Sequence, residues 1–262
     1  MSSFFTSIKA NRAYRLHSTA NQLIKIGEHD KAAKRLDKAL QLYDEAYSEG
    51  NRRRLILMAY SIILMRYGRF EKAKEVLLVI NRQDKLSNQE KYQLRVNYAI
   101  VQWKLGNSEL ALSTIRKADA EGKSSVIYST MGMLLTDRAA ETGDFEEALA
   151  YAKEALEYDE NDPSSLDNMG QLKYYMAAHE RKNGNSEAAD ALMQESMDWL
   201  NKAYEEKADQ VTTLYFLAKI HHERGESEKA KEYIEKTSEC YFTAMCQITR
   251  EDIAKLKKEI EG

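Results

Sequence analysis

Apolar residues recur three, four and seven positions apart along the chain: Met58, Ile62 and Met65; Val96, Ile100 and Trp103; Ile253, Leu256 and Ile260. That spacing gathers side chains on one face of an α-helix, whereas a strand would alternate them. Between the apolar stripes one segment returns six times, as Gly27 to Ala32, Gly68 to Ala73, Gly106 to Ala111, Gly143 to Ala148, Gly184 to Ala189 and Gly225 to Ala230. Successive glycines lie 41, 38, 37, 41 and 41 residues apart. The Gly supplies a left-handed residue that ends one helix, and Ser108, Ser186 and Ser227 are placed to cap the next. The Ala is small because two antiparallel helices must approach there. A self-similar period of this size indicates stacked helical pairs. At the ends, Phe4, Phe5 and Ile8 extend the first helix back to about Ser3. Thr249, followed by Arg250, Glu251 and Asp252, opens a last one.

Composition narrows the fold further. Pro163 is the single proline and there are eleven glycines, too few turn residues for the hairpins of a β protein. No apolar run approaches the ~18 residues of a membrane span, and Met1 to Ser7 lacks the features of a secretory signal. Cys240 and Cys246 are too few for a disulfide framework, so a reducing, cytoplasmic setting is expected.

The order of small residue, Gly seven later and Ala five beyond it resembles the tetratricopeptide repeat. Ala20, Ser61, Ala99, Gly132, Gly170 and Ala218 hold the small position, and Ala155 to Gly170 resembles the family's junction between repeats. The resemblance covers roughly residues 13 to 240. It implies an all-α, right-handed superhelical solenoid of antiparallel helix pairs with a C-terminal capping helix. The repeats fall at 13–50, 51–86, 87–122, 123–162, 163–207 and 208–240, and the cap at 241–262. Here the period exceeds the family's ~34 residues. In the fifth repeat Gly170 to Gly184 and Ala189 to Ala203 are both stretched to 14 residues, which predicts that the fifth pair is the longest. The fourth repeat lengthens its first helix alone.

A search for chemistry returns little. His17, His29, His179, His221 and His222 include no pair at the i, i+4 spacing of a zinc helix. The glycines have structural assignments, and no Gly-x-Ser-x-Gly elbow occurs. No catalytic residue, metal, cofactor or small-molecule substrate is expected. In the resembled family the first helices line a concave face. Its carboxylate clamp would fall on His17, Asn21, Ala59, Gln93 and Asn97, which lack the necessary cations. The remaining ligand-facing positions are apolar or amide-bearing: Met58, Ile62, Met65, Val96, Asn97, Ile100, Trp103 and Met133, then Asn168, Tyr175 and Tyr215. This stripe is either a groove for a peptide or amphipathic helix, or core buried by the chain itself; the spacing places its ridges away from the partner helix within each repeat.

Charge is segregated. Residues 1–104 hold 20 Lys plus Arg against 10 Asp plus Glu, and residues 105–262 hold 19 against 32. Such polarity creates opposite potentials in the two halves. The expected function is a non-catalytic protein-interaction module or scaffold. The alternative is an assembly protein joining through its basic and acidic halves, or docking on an anionic membrane by Phe4, Phe5 and the nearby basic residues. Nucleic acid is not expected, because the basic residues have no RNA-type aromatic motif among them.

Overall fold

The computed structural model describes residues 2–262, with side chains from Thr6 onward; Phe4 and Phe5, and with them the alternative of a membrane contact, lie outside the described side chains. The protein is 80% helical, with thirteen α-helices and no strand among the described residues. These are α1 (Ser2–Lys25), α2 (His29–Ser48), α3 (Arg54–Arg66), α4 (Phe70–Asn81), α5 (Asn88–Lys104), α6 (Ser108–Glu121), α7 (Ser125–Thr142), α8 (Glu146–Tyr158), α9 (Pro163–Lys182), α10 (Ser186–Glu206), α11 (Val211–Glu223), α12 (Ser227–Lys236) and α13 (Arg250–Glu261). Two compact units divide the chain. The N-terminal unit runs to Thr114 and includes Thr243–Met245, and the C-terminal unit comprises Ile115–Phe242 and Cys246–Gly262.

Odd-numbered helices up to α11 are the first arms of the six pairs and even-numbered ones the second. The turns inside the pairs are built from backbone. All six repeat glycines have φ between +71° and +84°. At Gly27 the glycine N–H donates to Ile24 O at 3.1 Å and the next N–H to Leu23 O at 2.9 Å, and the same two bonds recur at Gly68, Gly106, Gly184 and Gly225. They satisfy carbonyls that the helix end would leave bare. The residue after Gly then accepts from the repeat alanine: Glu28 O from Ala32, Arg69 O from Ala73, Asn107 O from Ala111, Asn185 O from Ala189 and Glu226 O from Ala230. The expected serine caps are therefore displaced. Ser108, Ser186 and Ser227 are the first residues of their helices, and the preceding Asn185 and Glu226 cap by backbone alone. Side-chain caps sit at the starts of other helices, on Ser87, Ser124, Asp162 and Thr249.

The fifth pair is continuous, with 20 residues in α9 and 21 in α10. It is not the longest, because α1 and α2 contain 24 and 20. The extra turns of the first pair hold one another: Lys9 bonds Glu49 and lies 3.2 Å from Glu45, while Thr6 Oγ1 donates to Glu49 at 3.0 Å. These bonds lower the Glu49 carboxyl below its ordinary pKa, the Lys9 bond contributing most.

Small positions set the helix spacing. A Cβ on Gly170 would stand 2.6 Å from Leu200 Cγ and 3.2 Å from Leu200 N, so α10 can reach α9 only with glycine there, and Ser196 Oγ donates to Gly170 O at 2.7 Å. Gly132 departs from the expectation that small positions face their own partner helix. Its Cβ would meet Asn168 of α9, the first helix of the following pair, at 2.7 Å. At the C-terminus the capping helix α13 lays Leu256 and Ile260 against Ala218, Ala230 and Ile234. A Thr249–Asp252 capping box starts it.

Candidate protein-binding faces

In the N-terminal unit the first helices α3 and α5 lie side by side. Asn51 Oδ1 accepts from Arg53 N at 3.1 Å just ahead of α3, and the Ser87–Glu90 capping box begins α5. Asn97 Nδ2 reaches Met58 Sδ at 3.4 Å, and Gln93 Nε2 donates to Asn97 Oδ1 at 3.3 Å. These contacts bring the predicted residues of both helices onto one face. Met58, Ile62, Ile100 and Trp103 are half-buried there, with Leu55 exposed at the edge and Lys104 Nζ 4.3 Å from the Trp103 ring centroid. The spacing argument placed both ridges outward, and it fails for two members, Met65 and Val96, which are buried, as is the ligand-facing candidate Asn97. A helical ridge is wide enough that its ends turn into the neighbouring helices.

The positions of the absent carboxylate clamp have other work. Arg66 Nη1 donates to Asn21 Oδ1 at 2.6 Å. His17 is buried edge-on to Tyr43, with neither His17 Nε2 nor the Tyr43 hydroxyl hydrogen-bonded. Burial, assisted by Arg66, lowers the His17 pKa to about 4, so the ring is neutral at pH 7.

In the C-terminal unit the predicted residues fall on α7, α9 and α11. Met133 is half-buried, and Asn168 is buried with its amide donating to Ser129 O at 3.0 Å across the gap left by Gly132. One turn before Gln171, Asp167 is enclosed and accepts from Thr213 Oγ1 at 2.7 Å, Thr212 Oγ1 at 2.8 Å and Gln171 Nε2 at 2.7 Å. Desolvation raises its pKa, and the hydrogen bonds oppose that shift. Tyr175 and Tyr215 are half-buried beside Phe216, at ring separations of 5.7 and 5.5 Å. Burial raises the Tyr175 hydroxyl pKa, and the nearby carboxylates Asp137 and Asp252 act in the same direction.

Against this aromatic face lies a stretch that the sequence did not single out. Cys246 and Ile248 join the cluster containing Tyr174, Tyr175, Tyr215, Phe216 and Ile220, and the Gln247 amide donates to Asp137 Oδ1. The two cysteines do not share a helix: Cys240 follows a 3-10 turn, Thr237–Glu239, and Cys246 lies in irregular chain. Neither is in a disulfide. The signal that could have marked this stretch is its composition, ten residues from Cys240 to Thr249 without a charge, placed after the last repeat.

Tetratricopeptide-repeat patterns match residues 30–93, 139–162 and 168–241, together more than half of the sequence. The chain belongs to the tetratricopeptide-repeat family. No curated protein matches the sequence. Among solved structures, human IFIT1, crystallised as a dimer with m7Gppp-AAAA, is similar to this tetratricopeptide-repeat chain at a TM-score of 0.60 and 17% identity, over 79% of this chain and 46% of that one. PilW, a type IV pilus biogenesis factor, gives 0.56 and 16% over 91% and 98%. A chain of the APC/C hetero-tetramer Cut9-Hcn1 gives 0.55 and 12% over 97% and 47%. The tetratricopeptide-repeat chain thus spans about half the length of the IFIT1 and Cut9-Hcn1 chains it matches. At these identities the likeness is one of fold. The fold supports a protein–protein interaction role in general, and its relatives are typically non-catalytic scaffolds. Among the described residues no helix is long and apolar enough to cross a membrane.

Proposed function

We propose that this tetratricopeptide-repeat protein is a non-catalytic adaptor that holds a peptide or an amphipathic helix against the faces of its first helices. The observation that carries the reading is the strip on α3 and α5. Leu55 is 55% exposed, and Met58, Ile62, Ile100 and Trp103 are half-buried on the same face as the part-exposed amide of Gln93. Apolar side chains fill such a strip while amides pair with the backbone of a ligand. Methionine adapts to the ligand's shape, and a tryptophan is where binding energy concentrates. Peptides selected by display on the purified protein are expected to lose about tenfold or more in affinity on Ile62→Asp or Trp103→Asp, a cost of about 1.4 kcal/mol or more. The melting temperature should stay within a few degrees, because both side chains are only half-buried. Selected peptides indifferent to both substitutions would remove the strip as the binding surface.

The segregation of charge favours a second reading, assembly of copies through basic and acidic halves. Exposed charges are screened beyond about 10 Å at 0.1 M salt. Sedimentation velocity should therefore show association at low salt that disappears at high salt; a monomer at both ends this reading.

A further inference from the structure

Connections between helices ordinarily run over the surface and are polar. Residues 240–248 do neither: none of them is exposed, and Cys240 to Thr249 carries no charge in a chain that is 31% charged. At its start Cys240 and Phe242 pack with Val211, Leu214, Tyr204 and Tyr233, and further anchors follow. Within the N-terminal unit, Ala244 N donates to Arg66 O at 3.0 Å, and its Cβ lies where Gly68 leaves room, 3.2 Å from a Cβ built on that glycine. Within the C-terminal unit, Gln247 bonds Asp137, Ile248 is 8% exposed among the rings of α9 and α11, and Arg250 lies 5.1 Å from the Phe242 ring centroid. The partners are Tyr175, Tyr215 and their neighbours, the side chains that the repeat pattern assigns to ligand contact.

We propose that Cys240–Thr249 is an internal ligand: a strap that occupies the first-helix face of the C-terminal unit and competes there with an external partner, an extended uncharged peptide carrying a glutamine followed by an aliphatic residue. This rests on the reading of first-helix faces as binding surfaces. The chemistry of the partner is copied from the occupant, since Gln247 answers Asp137 and Ile248 fills the space among the rings. The strap can leave without dismantling the cap, because α13 has its own anchors in Leu256 and Ile260 and its own capping box. Being tethered at both ends, it is present at a high effective concentration, so the intact protein binds an external peptide more weakly than the bare face would.

The test uses the full-length chain with Cys240→Ser, so that Cys246 alone reports on the strap. Ala244→Pro with Gln247→Ala removes the N–H to Arg66 and the amide to Asp137. A fluorescein-labelled peptide of the 241–249 sequence, with serine in place of Cys246, serves as probe. The released variant should bind it about tenfold or more tightly than the protein with the intact strap does, and maleimide should label its Cys246 about tenfold or more faster. The far-UV helical signal should be retained. Equal binding to both proteins would mean that the face takes peptide but the strap does not compete, overturning this proposal alone. Faster labelling with no peptide bound to either would overturn the binding-face reading of this unit as well. Unchanged labelling in a folded variant would show that the strap does not detach. Hydrogen exchange on the unsubstituted protein covers the case of a variant that fails to fold. Amides of 241–248 exchanging while α9 and α11 stay protected support the strap, and exchange only together with those helices makes it core.

Discussion

The face of α3 and α5 and the face of α9 and α11 occupy the same place in the repeat, yet one presents half-exposed methionine, isoleucine and tryptophan while the other is covered by Cys246, Gln247 and Ile248. On α3 the strap is bonded at the last residue, Arg66. Repeat position therefore says which side of a helical pair a residue belongs to. What lies on that side is decided by chain outside the repeats, and binding arguments taken from position alone would have treated Ile62 and Tyr175 alike.

The comparison breaks most readily in the spacing beneath each face. Under the C-terminal face Gly170 has no room for a Cβ, whereas the equivalent Ser61 of α3 already carries one and uses its hydroxyl on Met58 O at 2.8 Å. Gly170→Val should cost about 3 kcal/mol by driving α10 from α9, against about 1 kcal/mol for Ser61→Ala. Chemical denaturation of the two variants reads the difference, and comparable losses would show that the helices at Gly170 can separate freely.

Acid should sharpen the contrast, because each unit buries a titratable group of opposite sense. His17 is held neutral, with its pKa lowered by burial from 6.5 to about 4. Its contribution is present above its ordinary pKa and is lost as pH falls toward the folded value, on the order of 2 kcal/mol at pH 5. His17→Leu should therefore lose less stability than the unsubstituted protein between pH 7 and pH 5. Asp167 works the other way. Its folded pKa is raised by burial, so its stabilising contribution is full below its ordinary value and is lost as pH rises through the folded one. The smallest expected effect is that Asp167→Asn removes this gain on acidification. Urea midpoints for each variant against the parent at pH 7 and pH 5 check both signs, and parallel curves would show that neither group is coupled to folding.

Much of this was legible in the sequence. Six Gly-to-Ala segments located the turns, the pattern around Ala155 to Gly170 located a junction, and Thr249 located the cap. The serines misled because a side chain that can cap a helix was assumed to do so, while Glu226 and Asn185 show backbone sufficing. Met65 and Val96 were misplaced because a linear ridge does not show where the next helix crosses it. The length of α1 depends on Thr6 and Lys9 finding Glu49 some forty residues away, a pairing that local pattern cannot display. The strap was invisible for a related reason: it has no period, and its partners Arg66 and Asp137 are far off in sequence.

The turns have a consequence for how such a chain can change over time. Between the glycine and the alanine the turn is closed by main-chain hydrogen bonds in five of the six copies, so different letters can occupy it, while Arg69, Asn107, Asn185 and Glu226 add side-chain bonds to Asp44, Gln102, Glu180 and His221. Glu28 and His29, Arg69 and Phe70, Asn107 and Ser108, Asn185 and Ser186, and Glu226 and Ser227 spell the same turn. Substitutions can accumulate there at the cost of those side-chain bonds alone, provided two small residues five apart are kept. A designer could recode these turns, graft tags onto them or exchange whole pairs at their boundaries, and the record that they once were copies would fade while the geometry persisted.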